Sequence, residues 1–223
     1  MDGYASTVSA LSLGGFKVTV SAKPPLAILG DPDVLANAPP RLIAAGAADL
    51  LGKYTALMDW KIAREMDGEY YCPYVAELVR KAADECAENP EGLKMRSQDA
   101  VFSLMKGLIL SGLGILMVGN SRPASGSEHH LSHFWEMKQQ LSGGTERLHG
   151  EKVGVGSVLA AKAYRFLLEQ APDELCFDPK GRTLGLDFGE YISRLEKVFG
   201  PLTDQLLINR KKASGDDAML PAG

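Results

Sequence analysis

Cysteine is scarce in this chain. Cys72, Cys86 and Cys176 are an odd set with no CxxC spacing, which excludes a disulfide framework and suggests reduced thiols in a cytoplasmic protein. Positive charge is also short: 24 Lys and Arg stand against 28 Asp and Glu, for a formal net charge of -4. A nucleic-acid partner would need a basic patch or stripe. The one basic cluster, Asn209-Arg210-Lys211-Lys212, is short and reads as a solvated helix end. The most apolar run, Leu104 to Val118, carries Lys106 and three glycines and falls short of the roughly 20 residues a bilayer span needs. A buried helix is expected there, not stable membrane insertion. The opening Met1-Asp2-Gly3-Tyr4-Ala5-Ser6 lacks the charged and apolar segments of a signal peptide. Aromatics make up 7% of the chain; Trp60, Tyr70, Tyr71 and Tyr74 read as packing residues. No internal repeat is visible.

What is present is mostly helical pattern. The 223 residues suffice for one good core, or a core plus a fragment of a second. The first 30 read differently from the rest. Thr7 to Leu13 is expected as a short helix broken by Gly14-Gly15, Phe16 to Val20 alternates as an edge strand does, and Leu26 to Leu29 follows Pro24-Pro25 as a second strand. From Asp31 onward helices are expected over 41–65, 74–88, 97–118, 125–140 and 151–169, with Asn89-Pro90-Glu91-Gly92 as a turn. Residues 172–187 read as a loop, 187–209 as a last helical region interrupted at Gly200-Pro201, and 213–223 as a disordered tail.

Histidine is rare but concentrated. All four, His129, His130, His133 and His149, fall within 21 residues. Imidazole is the commonest side-chain metal ligand and a physiological acid/base. His129 and His133 share a helix face and His130 points elsewhere. A turn before His149 could return it beside His129. An open catalytic metal site takes three protein ligands, and Asp49, in the small-residue apolar stretch Ala44-Ala45-Gly46-Ala47-Ala48-Asp49, is a carboxylate that must find a partner if buried. Spacing alone leaves two readings open: Asp49 as a ligand, or Asp49 capping a helix or paired with Lys53 while the histidines lie on the surface. A HEXXH protease is excluded, because no Glu stands at the required position.

Asn120-Ser121-Arg122-Pro123-Ala124-Ser125-Gly126-Ser127-Glu128-His129, followed by His133, resembles the signature of sn-glycerol-1-phosphate dehydrogenases, especially their bacterial branch. The segment around Asp49, Leu148 to Gly156 and Asp2-Gly3-Tyr4-Ala5-Ser6 match in the family's order. The resemblance covers residues 1 to about 170. It implies a mainly α, helical metal-binding C-terminal domain (31–212) in a truncated dehydroquinate synthase-like fold, with residues 1–30 as a small α/β remnant of a Rossmann-like cofactor domain. It implies Asp49, His129 and His149 as ligands of zinc or nickel. It also implies Asp2, Asp49 and His133 as substrate contacts, with His133 and Asp49 catalytic, and Ser6 as a contact of NAD or NADP. The substrate pair implied is dihydroxyacetone phosphate and sn-glycerol 1-phosphate, and the full-length form is expected to be a homo-oligomer. The alternatives are a glycerol dehydrogenase-like enzyme or a non-catalytic metal-binding remnant. The family's Gly-rich pyrophosphate turn has no counterpart here, since Gly14-Gly15 and Gly112/Gly114 stand in the wrong context. Arg122, Ser125, Lys152 and Ser157 are candidates for the substrate phosphate, although Arg122 is equally suited to pinning the turn before its helix. Glu128 is a candidate support for the adjacent His129, or a first-turn helix acid.

Overall fold

Helix dominates the computed structural model, which describes residues 6, 8–13, 15–145, 147–170, 188–204 and 206–208. Among them a two-stranded hairpin precedes nine α-helices. Asp2, Cys176, the loop expected over 172–187 and the tail expected over 213–223 lie outside the described residues.

The helix expected before Gly14 is instead strand β1 (Val8–Leu13), paired with β2 (Phe16–Ser21). Gly15 sits at φ 87°, a left-handed turn that returns the chain at once. A single turn or two of isolated helix is marginal, whereas the returning strand supplies a ladder of backbone partners. The strand expected over Leu26 to Leu29 does not form, and both leucines are exposed. The two prolines before it lack N–H donors, and no described strand pairs with this segment.

The helices follow the sequence pattern with two corrections. The stretch expected over 41–65 is two helices, α2 (Pro40–Leu51) and α3 (Lys53–Asp67), meeting at Gly52. The turn expected at Asn89 to Gly92 opens a short helix, α5 (Pro90–Met95): the Asn89 side chain accepts from the Gly92 N–H at 2.9 Å and Pro90 takes the first position. The other helices are α1 (Pro32–Ala36), α4 (Pro73–Ala87), α6 (Gln98–Val118), α7 (Ser127–Ser142), α8 (His149–Glu169) and α9 (Phe188–Phe199). A 3-10 turn, Gly200–Leu202, breaks the last helical region where Gly200-Pro201 predicts.

Two apolar clusters hold the helices: Ile43, Leu50, Cys86, Val101, Leu104 and Leu108, and Trp60 with Val75, Ala76 and Val79. Helix α6 packs chiefly on α4. By length and composition it could cross a membrane, but half of its apolar window is buried inside the protein, as in a core helix. It is not buried on every face, since Phe102, Leu116 and Met117 are exposed. The described residues up to Glu169, apart from Gly15 and Phe16, group as one compact unit, and Gly15 and Phe16 group with the described residues from Gln170 onward as another. In the second unit, α9 runs into the 3-10 turn.

Candidate metal centre

The site lies where α2, α7 and α8 meet. Helix α8 packs on both α2 and α7, and small residues let it come close. A Cβ on Gly150 would stand 1.9 Å from the Ala45 carbonyl oxygen of α2, and one on Gly156 would stand 2.6 Å from the Glu128 carbonyl oxygen of α7. Both contacts are backbone, so no side chain could give way. This approach brings Asp49 in the last turn of α2, His129 in the first turn of α7 and His149 at the start of α8 to one point.

His129 Nε2 lies 3.3 Å from Asp49 Oδ1 and His149 Nε2 lies 3.9 Å from the same oxygen. The His129 and His149 rings are 5.1 Å apart. Ligands placed 2.0–2.1 Å from a tetrahedral zinc are roughly 3.3 Å from one another, so the convergence matches a shared cation. Each imidazole also has a carboxylate on its far nitrogen. His129 Nδ1 is 2.8 Å from Glu128 Oε1, and His149 Nδ1 is 3.0 Å from Glu136 Oε1. Donation of Nδ1–H to these acids leaves both Nε2 lone pairs facing Asp49, the tautomer that metal-ligating histidines take. Asp49 Oδ1 is buried and has no hydrogen-bond partner, a costly arrangement without a cation. The donor set therefore fits a divalent metal ion.

The supporting groups are themselves fixed. Glu128 is fully buried; its Oε1 also accepts from the Gly126 N–H at 2.7 Å and its Oε2 lies 2.6 Å from the Thr55 hydroxyl. Asp59 of α3 accepts from the Ser127 N–H at 2.6 Å, capping α7 from outside its own sequence, and from the Tyr164 hydroxyl. Lys53 Nζ donates to Asp49 Oδ2 at 3.2 Å in a buried pair. Of the alternative reading of Asp49, the pairing with Lys53 is present but the surface placement of the histidines is not, since His129 is buried; one Asp49 oxygen takes Lys53 and the other faces His129 and His149.

The electrostatics follow from these contacts. Burial opposes ionisation of Asp49, but Lys53 and His129 overcome it and hold the carboxyl well below the usual range. Burial also opposes ionisation of Glu128 and Glu136. His129, Thr55 and the Gly126 N–H lower the first; His149 and Lys17 lower the second. Burial disfavours protonation of His129, yet the carboxylates of Asp49 and Glu128 on either side of its ring favour it and raise its basicity. Burial and the neighbouring His129 push His133 down to about 4, so its ring is neutral at pH 7.

His133 shares the cleft with the other two but stands apart, its ring 6.2 Å from His129 and 6.1 Å from His149. His133, Glu136 and His149 form a second set of convergent donors. It suits a cation less well, because the Glu136 oxygens already carry Lys17 at 2.8 Å and Lys152 at 3.2 Å. His130 is exposed and faces away from the cluster, as its position predicts. Ser6 is buried and borders the same cleft, its hydroxyl donating to the Val8 carbonyl at 2.8 Å. The phosphate candidates divide. Arg122 is clamped by Glu69 through two contacts and does not line the cleft; Ser157 turns to the Val153 carbonyl. Ser125 and Lys152 do line it. Sequence reasoning missed Glu136 and Lys17. Glu136 is seven residues after His129, on the same helical face, and that spacing could have found it. Lys17 comes from the distant hairpin and has no local signal.

No family model matches the chain. Among curated proteins it is 43% identical over 168 residues to a glycerol-1-phosphate dehydrogenase [NAD(P)+] of Bacillus licheniformis, covering 75% of this chain and 42% of that protein. A protein of the same name from Bacillus subtilis is 41% identical over 169 residues, 76% of this chain and 43% of the relative. One from Pyrococcus horikoshii is 36% identical over 160 residues, 72% and 45% respectively. The chain thus spans less than half the length of these curated relatives, and the match falls in their C-terminal part.

Proposed function

Over about three quarters of its length this chain is homologous to glycerol-1-phosphate dehydrogenases, and from that premise we propose that it forms the metal- and substrate-binding part of an NAD(P)-linked enzyme interconverting dihydroxyacetone phosphate and sn-glycerol 1-phosphate. A dehydroquinate synthase-like architecture is part of this reading. Its main support is Asp49 Oδ1, buried, without a hydrogen-bond partner, and faced by the Nε2 atoms of His129 and His149. These three residues are the proposed ligands of a zinc or nickel ion. When bound, the metal supplies Lewis-acid polarisation of a substrate oxygen and the nicotinamide cofactor supplies the hydride chemistry.

The chain's own residues do the rest. Glu128 and Glu136 hold the two ligand imidazoles in one tautomer and orientation. Lys53 keeps Asp49 ionised. His133 is neutral and so offers one donor and one acceptor nitrogen. It lines the cleft, where it can hydrogen-bond a substrate hydroxyl and take or return its proton. Ser6 borders the same space and is the proposed cofactor contact; Asp2 is the proposed holder of a second hydroxyl.

Metal content by mass spectrometry tests the core of the reading. Wild-type chain should carry about one equivalent of zinc or nickel per site of this type. Asp49→Ala and His129→Ala should lose it, while His133→Ala should keep it. Full occupancy in folded His129→Ala would sink the ligand assignment.

A further inference from the structure

We propose that Lys17 and Lys152, seated on the two oxygens of Glu136, form the site for the phosphate of an anionic substrate. The cleft beside the histidines has a volume of about 770 Å³. Among the described residues lining it, Lys17, Lys53, Arg147 and Lys152 are cationic, and Glu136 is the one acid. The chain as a whole is net negative. A cleft whose charge opposes that of its protein concentrates ligands of the opposite sign.

Charge pairing narrows the choice. Lys53 is matched by Asp49. Lys17 Nζ lies 2.8 Å from Glu136 Oε2, and Lys152 Nζ lies 3.2 Å from Oε1. One carboxylate neutralises one ammonium, so this trio keeps a surplus positive charge. Neither lysine reaches far into water, their side chains being 20% and 11% exposed. A surplus cation held in a half-buried wall costs free energy unless an anion completes it. Lysine suits phosphate as a point charge with three donors. Arg147, exposed at the same cleft, adds a further positive charge.

Position favours substrate over cofactor as the source of the phosphate. Glu136 Oε1 contacts both Lys152 and His149 Nδ1, so the cationic pair is one carboxylate away from a proposed metal ligand. The lysines come from different elements: Lys17 from β2, on the ribbon face that carries Val8, Ala10, Ser12 and Thr19 into the cleft, and Lys152 from α8. Hairpin and helices must therefore be assembled before the site exists. The assignment to substrate rests on the dehydrogenase reading; the cationic site itself does not.

Calorimetric titration of the purified chain tests this, with inorganic phosphate, sn-glycerol 1-phosphate, glycerol, NAD and NADP as separate probes and metal content measured alongside. Wild type should bind both phosphate and glycerol 1-phosphate. Lys17→Gln and Lys152→Gln should each weaken both by at least about tenfold, the loss of one charge-assisted contact, with metal content and helix content unchanged. Lys152→Arg should recover much of the affinity, which separates charge from folding. Undiminished phosphate binding in the folded glutamine variants, or none in wild type, overturns the site. If the variants weaken NADP but leave glycerol 1-phosphate untouched, the phosphate belongs to the cofactor and the substrate assignment is overturned. A wild-type chain that binds phosphate but no metal sinks the metal reading while leaving this one standing.

Discussion

At the residue scale the centre depends on which nitrogen of each histidine carries a proton. Glu128 takes the Nδ1 side of His129, and Glu136 takes that of His149. These contacts, made away from Asp49, aim both Nε2 lone pairs at it. Glu128 is the cleaner one to test, being fully buried and in contact with Gly126 and Thr55 as well. Glu128→Gln keeps the shape but removes the charge. It should lower metal affinity by about 10–100-fold, the usual effect of losing such a partner, in a competition assay against a chelating dye. Unchanged affinity in the folded variant would mean that Glu128 only ties down the start of α7.

At the element scale the site is a consequence of close helix approach. Helix α8 can bring His149 to Asp49 because Gly150, next in sequence, lies directly against the backbone of Ala45. Gly150→Ala must push α8 away from α2. Overpacking of this kind costs about 1–3 kcal/mol, and the same displacement separates His149 from Asp49. Thermal unfolding and metal content should therefore both fall. A variant that lost stability but kept full metal would place the adjustment elsewhere along α8. The start of α7 is held across elements as well, by Asp59 of α3, so His129 depends on α3 for its position although no residue of α3 is a proposed ligand.

At the scale of the whole molecule, metal and folding should be coupled. Asp49 and Lys53 are 3% and 1% exposed, and removing one partner of a buried pair typically costs about 3–5 kcal/mol. Lys53→Met should destabilise the metal-free chain by that order in chemical denaturation. A cation at Asp49 would replace part of the lost compensation, so adding zinc or nickel should stabilise this variant more than wild type. For wild type, metal at a hundred times its dissociation constant should add about 2.7 kcal/mol, and a chelator should remove it. A midpoint indifferent to metal would mean that the three residues do not form a site in this chain.

The sequence by itself determined most of the helices and the identity of the cluster. Helical periodicity, Ser97 and the prolines place α4, α6 and α8 within a few residues, and His129 with His133 four apart is a face whatever surrounds it. Local geometry also separates His130 from its neighbours. Tertiary structure decided what depends on contacts distant in the chain. The segment before Gly14 became a strand because a partner strand returned to it. The 41–65 stretch broke at Gly52, where α8 packs: a Cβ there would stand 2.9 Å from Val153. Arg122 was drawn to Glu69 and away from the cleft, while Lys17 was brought in from 119 positions before Glu136. Periodicity reports which way a residue faces on its own element. It carries no information about which charges from other elements will meet it there, and those charges define the cationic cleft.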